Sequence, residues 1–246
     1  MTVRHDRWQP FIERYAKETW RAPVFRDVIL EEIRGCKERG LSPTVLDIGC
    51  GKGFDDAPEL QRSLAEASGR YLGIEPDPDI LLENHFTQTF RCLFEDAPLA
   101  PDSIDIAFSV MVMEHIEHPQ LFWDRLYGDL KKGGVFWGFT VDARNPFVFF
   151  SLAMERLNIK DWYIRKLRKQ EAERYENYGV HYRSNSPDAV RAFAREFSRV
   201  EFPPFRSKET FAYYLPRGLR WAGLAWNAIS GALKLPGSIL IMRVEK

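Results

Sequence analysis

Short apolar runs alternate with amphipathic stretches along most of this 246-residue chain. Runs rich in β-branched and aromatic residues predict strands at 44–48, 70–75, 89–94, 102–110, 135–141, 199–202 and 238–244. Apolar residues at helical spacing predict helices at 8–16, 24–33, 58–67, 120–132 and 186–197, with a further helix start after Pro76. Strands that alternate with helices imply parallel pairing and right-handed crossovers. The pattern therefore predicts an α/β fold.

The first predicted strand runs into a turn that carries glycines at alternate positions, Gly49, Gly51 and Gly53. Such a turn lets a bound molecule meet bare backbone. Ligands of open α/β sheets bind at the carboxyl ends of strands, so this turn is the predicted cofactor site. A dinucleotide fold would place a glycine at position 54, which is Phe54, and the two acids that follow would repel a phosphate. A neutral or cationic ligand fits the turn better.

A carboxylate, Glu75, ends the second predicted strand, 22 residues beyond Gly53. A carboxylate on the strand beside the glycine turn can accept hydrogen bonds from both hydroxyls of a ribose. The alternative is a solvated acid at the end of a strand. The spacing from the glycine turn favours the ribose role.

Two long segments interrupt the alternation of strands and helices. Residues 145–182 are rich in aromatic and basic side chains, but nearby acids largely offset the positive charge. Within 203–236, residues 219–235 predict a helix that is apolar around most of its circumference and too short and too charged to span a bilayer. We expect that helix to cap the active site or to pair with a second subunit, and we rank peripheral contact with a membrane surface after these.

Composition narrows the class of protein. Hydrophobic residues make up 45% of the chain, enough for a sizeable core, and the 35 basic residues equal the 35 acidic ones, which disfavours a nucleic-acid partner. Three cysteines without Cys-x-x-Cys spacing indicate a reducing compartment. The polar N-terminus lacks an apolar signal segment, so we expect a cytoplasmic protein. No metal site is expected, although Glu114, Glu117 and His118 leave a magnesium site open.

The segment Leu46-Asp47-Ile48-Gly49-Cys50-Gly51-Lys52-Gly53 resembles the first motif of the class I methyltransferases that use S-adenosylmethionine, and Glu114-His115-Ile116 resembles the segment after their fourth strand. The resemblance covers about 41–142 and 186–202. It implies a Rossmann-like, doubly wound, seven-stranded sheet that is mostly parallel with an antiparallel last strand, with helices on both faces and helical lid insertions. The expected domains are 1–40, N-terminal helices and lid; 41–144, cofactor-binding core; 145–185, lid insertion; and 186–246, the end of the core sheet with the apolar insertion 203–236.

The same resemblance implies S-adenosylmethionine as the cofactor and S-adenosylhomocysteine as the product. The residues expected to bind the cofactor are Asp47, Gly49, Cys50, Gly51, Gly53, Glu75, Phe94, Glu95 and Val110. Phe94 is expected to pack on the adenine and Glu95 to reach its exocyclic amine, with a solvated loop as the alternative. The residues expected in the lid or against the acceptor are Tyr15, Trp20, Tyr178 and Arg183.

Methyl transfer from a sulfonium is a direct displacement, so an enzyme mainly supplies proximity and alignment, with a general base where the nucleophile must lose a proton. Three residues near predicted strand ends, His115, His181 and Asp142, are candidates for that base. Histidine suits the role because its ordinary pKa lies near neutrality. A structural role is the alternative for each histidine.

The interpretation that fits these observations is a methyltransferase that acts on a small hydrophobic or amphipathic acceptor, at oxygen rather than nitrogen. One alternative is a catalytically inactive cofactor-binding subunit or regulatory partner, which would use 219–235 as an interface. A second is a nucleotide-dependent oxidoreductase, which Phe54 disfavours. The expected partners are the small-molecule acceptor and, through 219–235, a second copy of the chain or a membrane surface, with no nucleic acid.

Overall fold

The computed structural model describes residues 7–18, 20–145, 148, 179–206, 221, 223, 225, 229, 233 and 235–246. Its α-helices are α1 (Gln9–Lys17), α2 (Ala22–Glu38), α3 (Pro58–Ala67), α4 (Pro119–Asp129) and α5 (Pro187–Phe193). Its strands are β1 (Thr44–Ile48), β2 (Arg70–Ile74), β3 (Gln88–Phe90), β4 (Ile104–Val110), β5 (Leu130–Val141), β6 (Arg199–Glu201) and β7 (Ile239–Glu245). Short 3₁₀ turns lie at Phe94–Asp96 and Met113–His115.

Each of these five α-helices carries a proline in its first turn. Proline is suited to that position because its fixed backbone angle is already helical and its missing N–H has no partner there in any case. At α5 the cap is completed by Ser186, whose hydroxyl accepts a hydrogen bond from the amide of Ala189 at 3.3 Å. The local sequence thus sets where these helices begin.

The seven strands form one sheet in the order β3-β2-β1-β4-β5-β7-β6. Strands β1 to β5 pair in parallel, and β7 inserts between β5 and β6 and runs antiparallel to both. The strand order reverses beside β1, so the carboxyl ends of β1 and β4 flank the crevice where ligands of such sheets bind. The predicted doubly wound, mostly parallel sheet with an antiparallel last strand is confirmed.

Helices cover both faces of the sheet. On one face, α1, α2 and α3 pack over a cluster that includes Val45, Phe108 and Trp137. On the other face, α4 and α5 pack over a cluster that includes Leu46 and Phe136. Burial on both sides explains why the central strands are apolar runs rather than alternating ones.

Three predicted elements differ from the structure. No helix follows Pro76; instead, the Arg91 guanidinium donates hydrogen bonds to the carbonyls of Asp77 and Ile80, each at 2.7 Å, and holds that segment as a loop. The third strand ends at Phe90, before the predicted 94. The helix predicted to end at 132 ends at Asp129, and Gly133 and Gly134 lie inside β5, where Gly133 has φ +77° and the register with β4 shifts.

Most of the two long insertions lies outside the described residues. Three of the described residues within the predicted helix 219–235, Trp221, Ile229 and Leu233, are 69%, 52% and 65% exposed. No helix of the described segments is long and apolar enough to cross a bilayer. The predicted boundaries between domains stay predictions.

Candidate active site at the carboxyl edge of the sheet

The glycine turn after β1 has a backbone that requires glycine. Gly49, Gly51 and Gly53 have φ of +70°, +46° and +95°, a region that L side chains rarely adopt. The amides of Gly49 and Cys50 donate to the carbonyl of Ile74 at 2.8 and 2.9 Å, which ties the turn to the end of β2. A Cβ on Gly49 would lie 2.4 Å from Cγ2 of Val112, the second residue after β4. The turn is thus pressed between the ends of its two neighbouring strands.

Glu75, the residue after β2, lies against this turn. Its carboxylate is buried, Oε2 accepts a hydrogen bond from the amide of Gly51 at 2.9 Å, and Oε1 accepts one from the amide of Asp77 at 3.0 Å. These backbone donors fix the orientation of the carboxylate at the edge of the crevice. The structure therefore brings together the glycines and the strand-end acid that the sequence singled out.

Asp47, inside β1, is buried beneath the same turn. Its Oδ2 accepts hydrogen bonds from Nε2 of Gln61 at 2.9 Å and from the hydroxyl of Tyr71 at 2.8 Å. Gln61 Nε2 also donates to the carbonyl of Cys50 at 2.6 Å. Burial raises the pKa of Asp47 to about 7, against the opposing effect of its two donors.

Gln61 and Tyr71 were not predicted from the sequence as site residues. The signal for Gln61 was present, because a polar residue stands beside Leu60 and Leu64 on the buried face of α3. The tyrosine could not be found from the sequence, since its partner lies 24 residues away on another strand.

The chemistry of these groups fits S-adenosylmethionine. Its ribose needs hydrogen-bond acceptors, which Glu75 supplies, and its sulfonium and ammonium groups are cations, which the carboxylates around the turn favour. A Cβ on Gly51 would lie only 3.8 Å from Oε2 of Glu75, in the space beside the carboxylate where a ribose would bind. Bare backbone at Gly51 leaves that space to a ligand.

The other residues expected at the cofactor differ in their burial. Phe94 is a core residue, 4% exposed, whose ring packs on Phe122 with centroids 5.0 Å apart. Its packing against α4 does not favour the expected stacking on adenine. Glu95 is half-buried, and burial raises the pKa of its carboxyl group. Val110, at the end of β4, is partly buried against the helices over the first face.

The two candidate histidines are carried by segments that contact each other. Nδ1 of His115 lies 3.0 Å from the carbonyl oxygen of Gly179, which can only accept, so Nδ1 carries the proton. The amides of His181 and Tyr182 both donate to the carbonyl of Glu114, at 2.7 and 3.2 Å. The histidines are 66 residues apart in sequence and come from opposite sides of the insertion, yet both segments meet at the 3₁₀ turn after β4.

A buried polar network supports that turn. The hydroxyl of Thr140 in β5 donates to Oε2 of Glu114 at 2.6 Å, and Nδ2 of Asn185 donates to Thr140 Oγ1 at 2.7 Å. Burial raises the pKa of Glu114. From the sequence, Glu114 was expected in a motif and as a possible magnesium ligand, whereas Thr140 and Asn185 were not predicted.

Asp142, the third candidate base, is hydrogen-bonded to Arg144. Arg144 donates to its carboxylate from Nε at 3.0 Å, from Nη2 at 2.8 Å and from its own amide at 2.9 Å. These three hydrogen bonds occupy most of the acceptor sites of the carboxylate, and the guanidinium balances its charge. This pairing disfavours Asp142 as a proton acceptor and leaves the two histidines.

Two of the residues expected in a lid, Trp20 and Tyr15, also differ in their burial. Nε1 of Trp20, on the linker between α1 and α2, donates to Oδ2 of Asp55 at 3.1 Å, and the indole is 45% exposed, so this linker reaches the glycine turn. Tyr15 is instead a core residue, 1% exposed, stacked on Phe25 and edge-on to Phe205. Its burial does not favour the expected role in a lid.

Arg183 anchors the segment that carries His181, because its Nη1 donates to the carbonyl of Glu117 at 2.6 Å. Tyr178 lies outside the described residues. Within the described part of the chain, no group of three or more histidine, cysteine, aspartate or glutamate side chains is arranged to hold a metal ion.

Backbone strain concentrates around the same edge of the sheet. Among the described residues, five that are not glycine have positive φ: Asp55, Asp56, Asp102, Met111 and Tyr182. All but Asp102 belong to the glycine turn, the end of β4 or the His181 segment. Strained backbone persists where surrounding structure enforces it, and it clusters at functional sites.

Comparisons with known proteins agree with this geometry. Residues 46–138 match the sequence model of a family described as a methyltransferase domain. An uncharacterized methyltransferase of Mycobacteroides abscessus is 31% identical over 101 residues, which are 37% of this chain and 37% of that protein. The tRNA U34 carboxymethyltransferase of Hahella chejuensis is 31% identical over 99 residues, which are 37% of this chain and 29% of that protein. The chain thus spans well under half the length of these curated relatives.

A solved structure extends the likeness beyond the matched segment. The SAM-dependent methyltransferase of Archaeoglobus fulgidus has a TM-score of 0.52 at 12% identity, over 97% of this chain and 99% of that one. At that identity the likeness shows the fold. Residues 46–138 thus resemble a methyltransferase domain in sequence, and the strand order and the glycine turn agree with that match.

Proposed function

We propose that the chain is an S-adenosylmethionine-dependent methyltransferase that acts on a small hydrophobic or amphipathic acceptor, at oxygen in preference to nitrogen. The observation that carries the proposal is the contact between the Glu75 carboxylate and the amide of Gly51. It lies where β1 and β2 end side by side, next to the point where the strand order reverses. An acceptor for a ribose and a turn without side chains are what this cofactor requires.

When bound, S-adenosylmethionine supplies a methyl group activated by a sulfonium. The protein's part is to hold and orient it: Glu75 accepts the ribose hydroxyls, and Asp47 supplies negative charge beneath the turn. The glycines admit the ligand to backbone contact, with Cys50 between them. Glu95 would contact the cofactor on its adenine side, and Val110 would contact it at the end of β4.

The geometry favours a histidine as the base for an acceptor hydroxyl. With its Nδ1 proton directed to the carbonyl of Gly179, the His115 ring has its basic lone pair on Nε2. His181 belongs to the segment bonded to Glu114 and is exposed. An oxygen nucleophile must lose a proton during transfer, so a base at this position supports O-methylation.

Apolar exposure supports a hydrophobic or amphipathic acceptor. Trp20 and Met111 are 45% and 43% exposed, and they lie by the glycine turn and at the end of β4. The linker before α2 and the insertion 145–185 are the proposed lids. The Hahella relative acts on tRNA by name, but the equal numbers of basic and acidic residues in this chain favour a small molecule.

Calorimetry with S-adenosylhomocysteine on the wild type and Glu75→Ala tests the cofactor site. Loss of charge-assisted hydrogen bonds is expected to weaken binding by on the order of 2 to 3 kcal/mol, because each is worth about 1.5 kcal/mol or more. Glu66→Ala, an exposed acid on α3, is the matched control and is expected to bind as the wild type does.

Equal affinity of Glu75→Ala and the wild type would remove Glu75 from the site. Absence of saturable binding by the wild type would overturn the proposal as a whole. If binding is found, turnover with radiolabelled cofactor and a panel of phenols, long-chain carboxylic acids and amines would identify the acceptor class.

A second candidate function is a cofactor-binding subunit without turnover. Trp221, Ile229 and Leu233 favour it, since they recur at helical spacing and are exposed, as an interface to a second copy or a membrane surface would need. Binding of S-adenosylhomocysteine without turnover on any acceptor, together with a stable dimer in solution, would favour this function. Co-sedimentation of the monomer with lipid vesicles would instead indicate peripheral membrane contact.

A further inference from the structure

The carboxylate of Asp47 is held from one side only. Both of its hydrogen-bond donors, Gln61 and Tyr71, reach Oδ2. No donor among the described residues reaches Oδ1, and Asp47 is 2% exposed. A carboxylate oxygen without a protein donor can accept one from a bound cation.

Gln61 donates hydrogen bonds to residues on both sides of Gly49. It is buried on α3, the helix after the turn, and its Nε2 has two hydrogens, which match its two acceptors: Oδ2 of Asp47 before Gly49 and the carbonyl of Cys50 after it. One amide therefore sets the distance between Asp47 in β1 and the middle of the turn. Tyr71 closes the arrangement from β2, where its ring stacks on Phe86 with centroids 5.0 Å apart.

We propose that Gln61 and Tyr71 are positioning residues for the cofactor, which hold Oδ2 of Asp47 so that Oδ1 accepts a hydrogen bond from the ammonium group of the cofactor's amino-acid end. The inference rests on the proposed function. It adds two residues of this chain that neither the motif nor the family match singles out.

The same arrangement couples cofactor binding to a proton. The groups that face Asp47 are Gln61 from α3, Tyr71 from β2, the Cys50 thiol in the turn and Glu75 after β2, and none of them is a cation. Burial therefore raises the pKa of Asp47 to about 7. An ammonium group binds the ionised carboxylate, so binding releases a proton and strengthens as pH rises through that pKa.

Calorimetry with S-adenosylhomocysteine between pH 6 and pH 8 tests the inference. Wild-type affinity is expected to be about tenfold higher at pH 8, because a group with a pKa near 7 is about one-tenth ionised at pH 6. Asp47→Asn should bind weakly at both pH values. Repeating the titration in buffers of different ionisation enthalpy should show proton release for the wild type and none for Asp47→Asn.

Tyr71→Phe and Gln61→Leu remove one donor each from Oδ2, so the pH at which affinity is half its plateau should move upward. Tyr71→Phe keeps the ring packing and is the milder change. Gln88→Leu, an exposed glutamine on β3, is the control and should keep the wild-type profile. A carbon-13 titration of the Asp47 carboxyl in the unliganded protein provides a readout that needs no cofactor, and both variants should raise its midpoint.

Three outcomes would show which part fails: the proton coupling, the positioning by Gln61 and Tyr71, or the proposed function itself. If the wild type binds but its affinity is the same at pH 6 and pH 8, the proton coupling is wrong. If Gln61→Leu and Tyr71→Phe keep the wild-type profile and carboxyl midpoint, neither residue positions Asp47. If the wild type does not bind S-adenosylhomocysteine at all, the proposed function fails, although the carboxyl titration still tests the hydrogen bonds.

Discussion

At the scale of single residues, the most constrained position of the site is Gly49. It combines φ of +70° with a Cβ position 2.4 Å from Cγ2 of Val112. Either condition alone would favour glycine: a side chain is strained in that backbone conformation, and it would also collide with Val112. The residue is therefore needed for the shape of the turn whatever ligand binds.

Gly49→Ala is expected to lower the free energy of unfolding by more than about 1 kcal/mol, since it adds backbone strain to an overlap. Chemical denaturation would measure the loss, and the double variant Gly49→Ala/Val112→Ala should recover the part due to the overlap. Gly128→Ala is the control, because nothing lies within 4 Å of its Cβ position in α4, and alanine there should stabilise the helix. Equal effects of the two alanines would contradict this account of Gly49.

Residue patterns in the sequence predicted the glycine turn and Glu75 because both are local features. Alternate glycines specify a backbone path, and an acid directly after an apolar run specifies a strand end. Gln61 and Tyr71 were not predicted because their hydrogen bonds to Asp47 depend on which helices and strands pack together. Tyr15 and Phe94 were expected at the site for their aromatic character, and both are buried in the core.

At the scale of elements, the Glu114 network joins three parts of the chain. Thr140 belongs to β5, Glu114 to the 3₁₀ turn after β4, and Asn185 to the segment before α5. The backbone carbonyl of Glu114 also accepts hydrogen bonds from the amides of His181 and Tyr182. One buried acid thus fixes the approach of both histidine-bearing segments.

Thr140→Val keeps the shape of the side chain and removes its hydroxyl, so Glu114 and Asn185 each lose a partner. The expected loss is about 1 to 3 kcal/mol of unfolding free energy. Burial raises the folded-state pKa of Glu114 and Thr140 opposes that shift, so the variant should lose more stability at pH 8 than at pH 5. Unfolding of both proteins at the two pH values would measure this.

Thr89→Val, an exposed threonine on β3, is the matched control and should change little. An equal loss for Thr140→Val at pH 5 and pH 8 would mean that the hydroxyl does not act through ionisation of Glu114.

Elements were predicted well where hydrophobic periodicity is strong and poorly where side-chain contacts override it. The bounds of α3 match the prediction at both ends, because proline starts the helix and the apolar spacing is regular. The expected helix after Pro76 is absent, since Arg91, the residue after β3, donates hydrogen bonds to the carbonyls of that segment. Long-range contacts of this kind leave no local mark in the sequence.

At the scale of the whole molecule, a buried ion pair connects α2 to β7, near the β6 edge of the sheet. Nε of Arg243 in β7 donates to Oε1 of Glu32 in α2 at 2.7 Å, and Nε1 of Trp137 in β5 donates to the same oxygen at 3.0 Å. The two charged residues are 211 positions apart in sequence. Both are buried, so neither charge has water to replace a lost partner.

Arg243→Ala is expected to destabilise the protein by about 3 to 5 kcal/mol, because it leaves the Glu32 carboxylate buried without its main counter-charge. Arg34→Ala, on the exposed face of α2, removes a surface ion pair and should leave the unfolding midpoint nearly unchanged. Equilibrium denaturation of both variants would measure the difference, and similar midpoints would contradict a stabilising role for the buried pair.

The position of β7 between β5 and β6 also has a consequence for synthesis on the ribosome. The 97 residues from 142 to 238 separate the end of β5 from the start of β7. At about 5 to 20 residues per second, the open edge of β5 waits roughly 5 to 20 seconds for its neighbour to emerge. An unpaired apolar strand edge invites association with other chains, so nascent copies of this protein are exposed to misassociation until β7 is made.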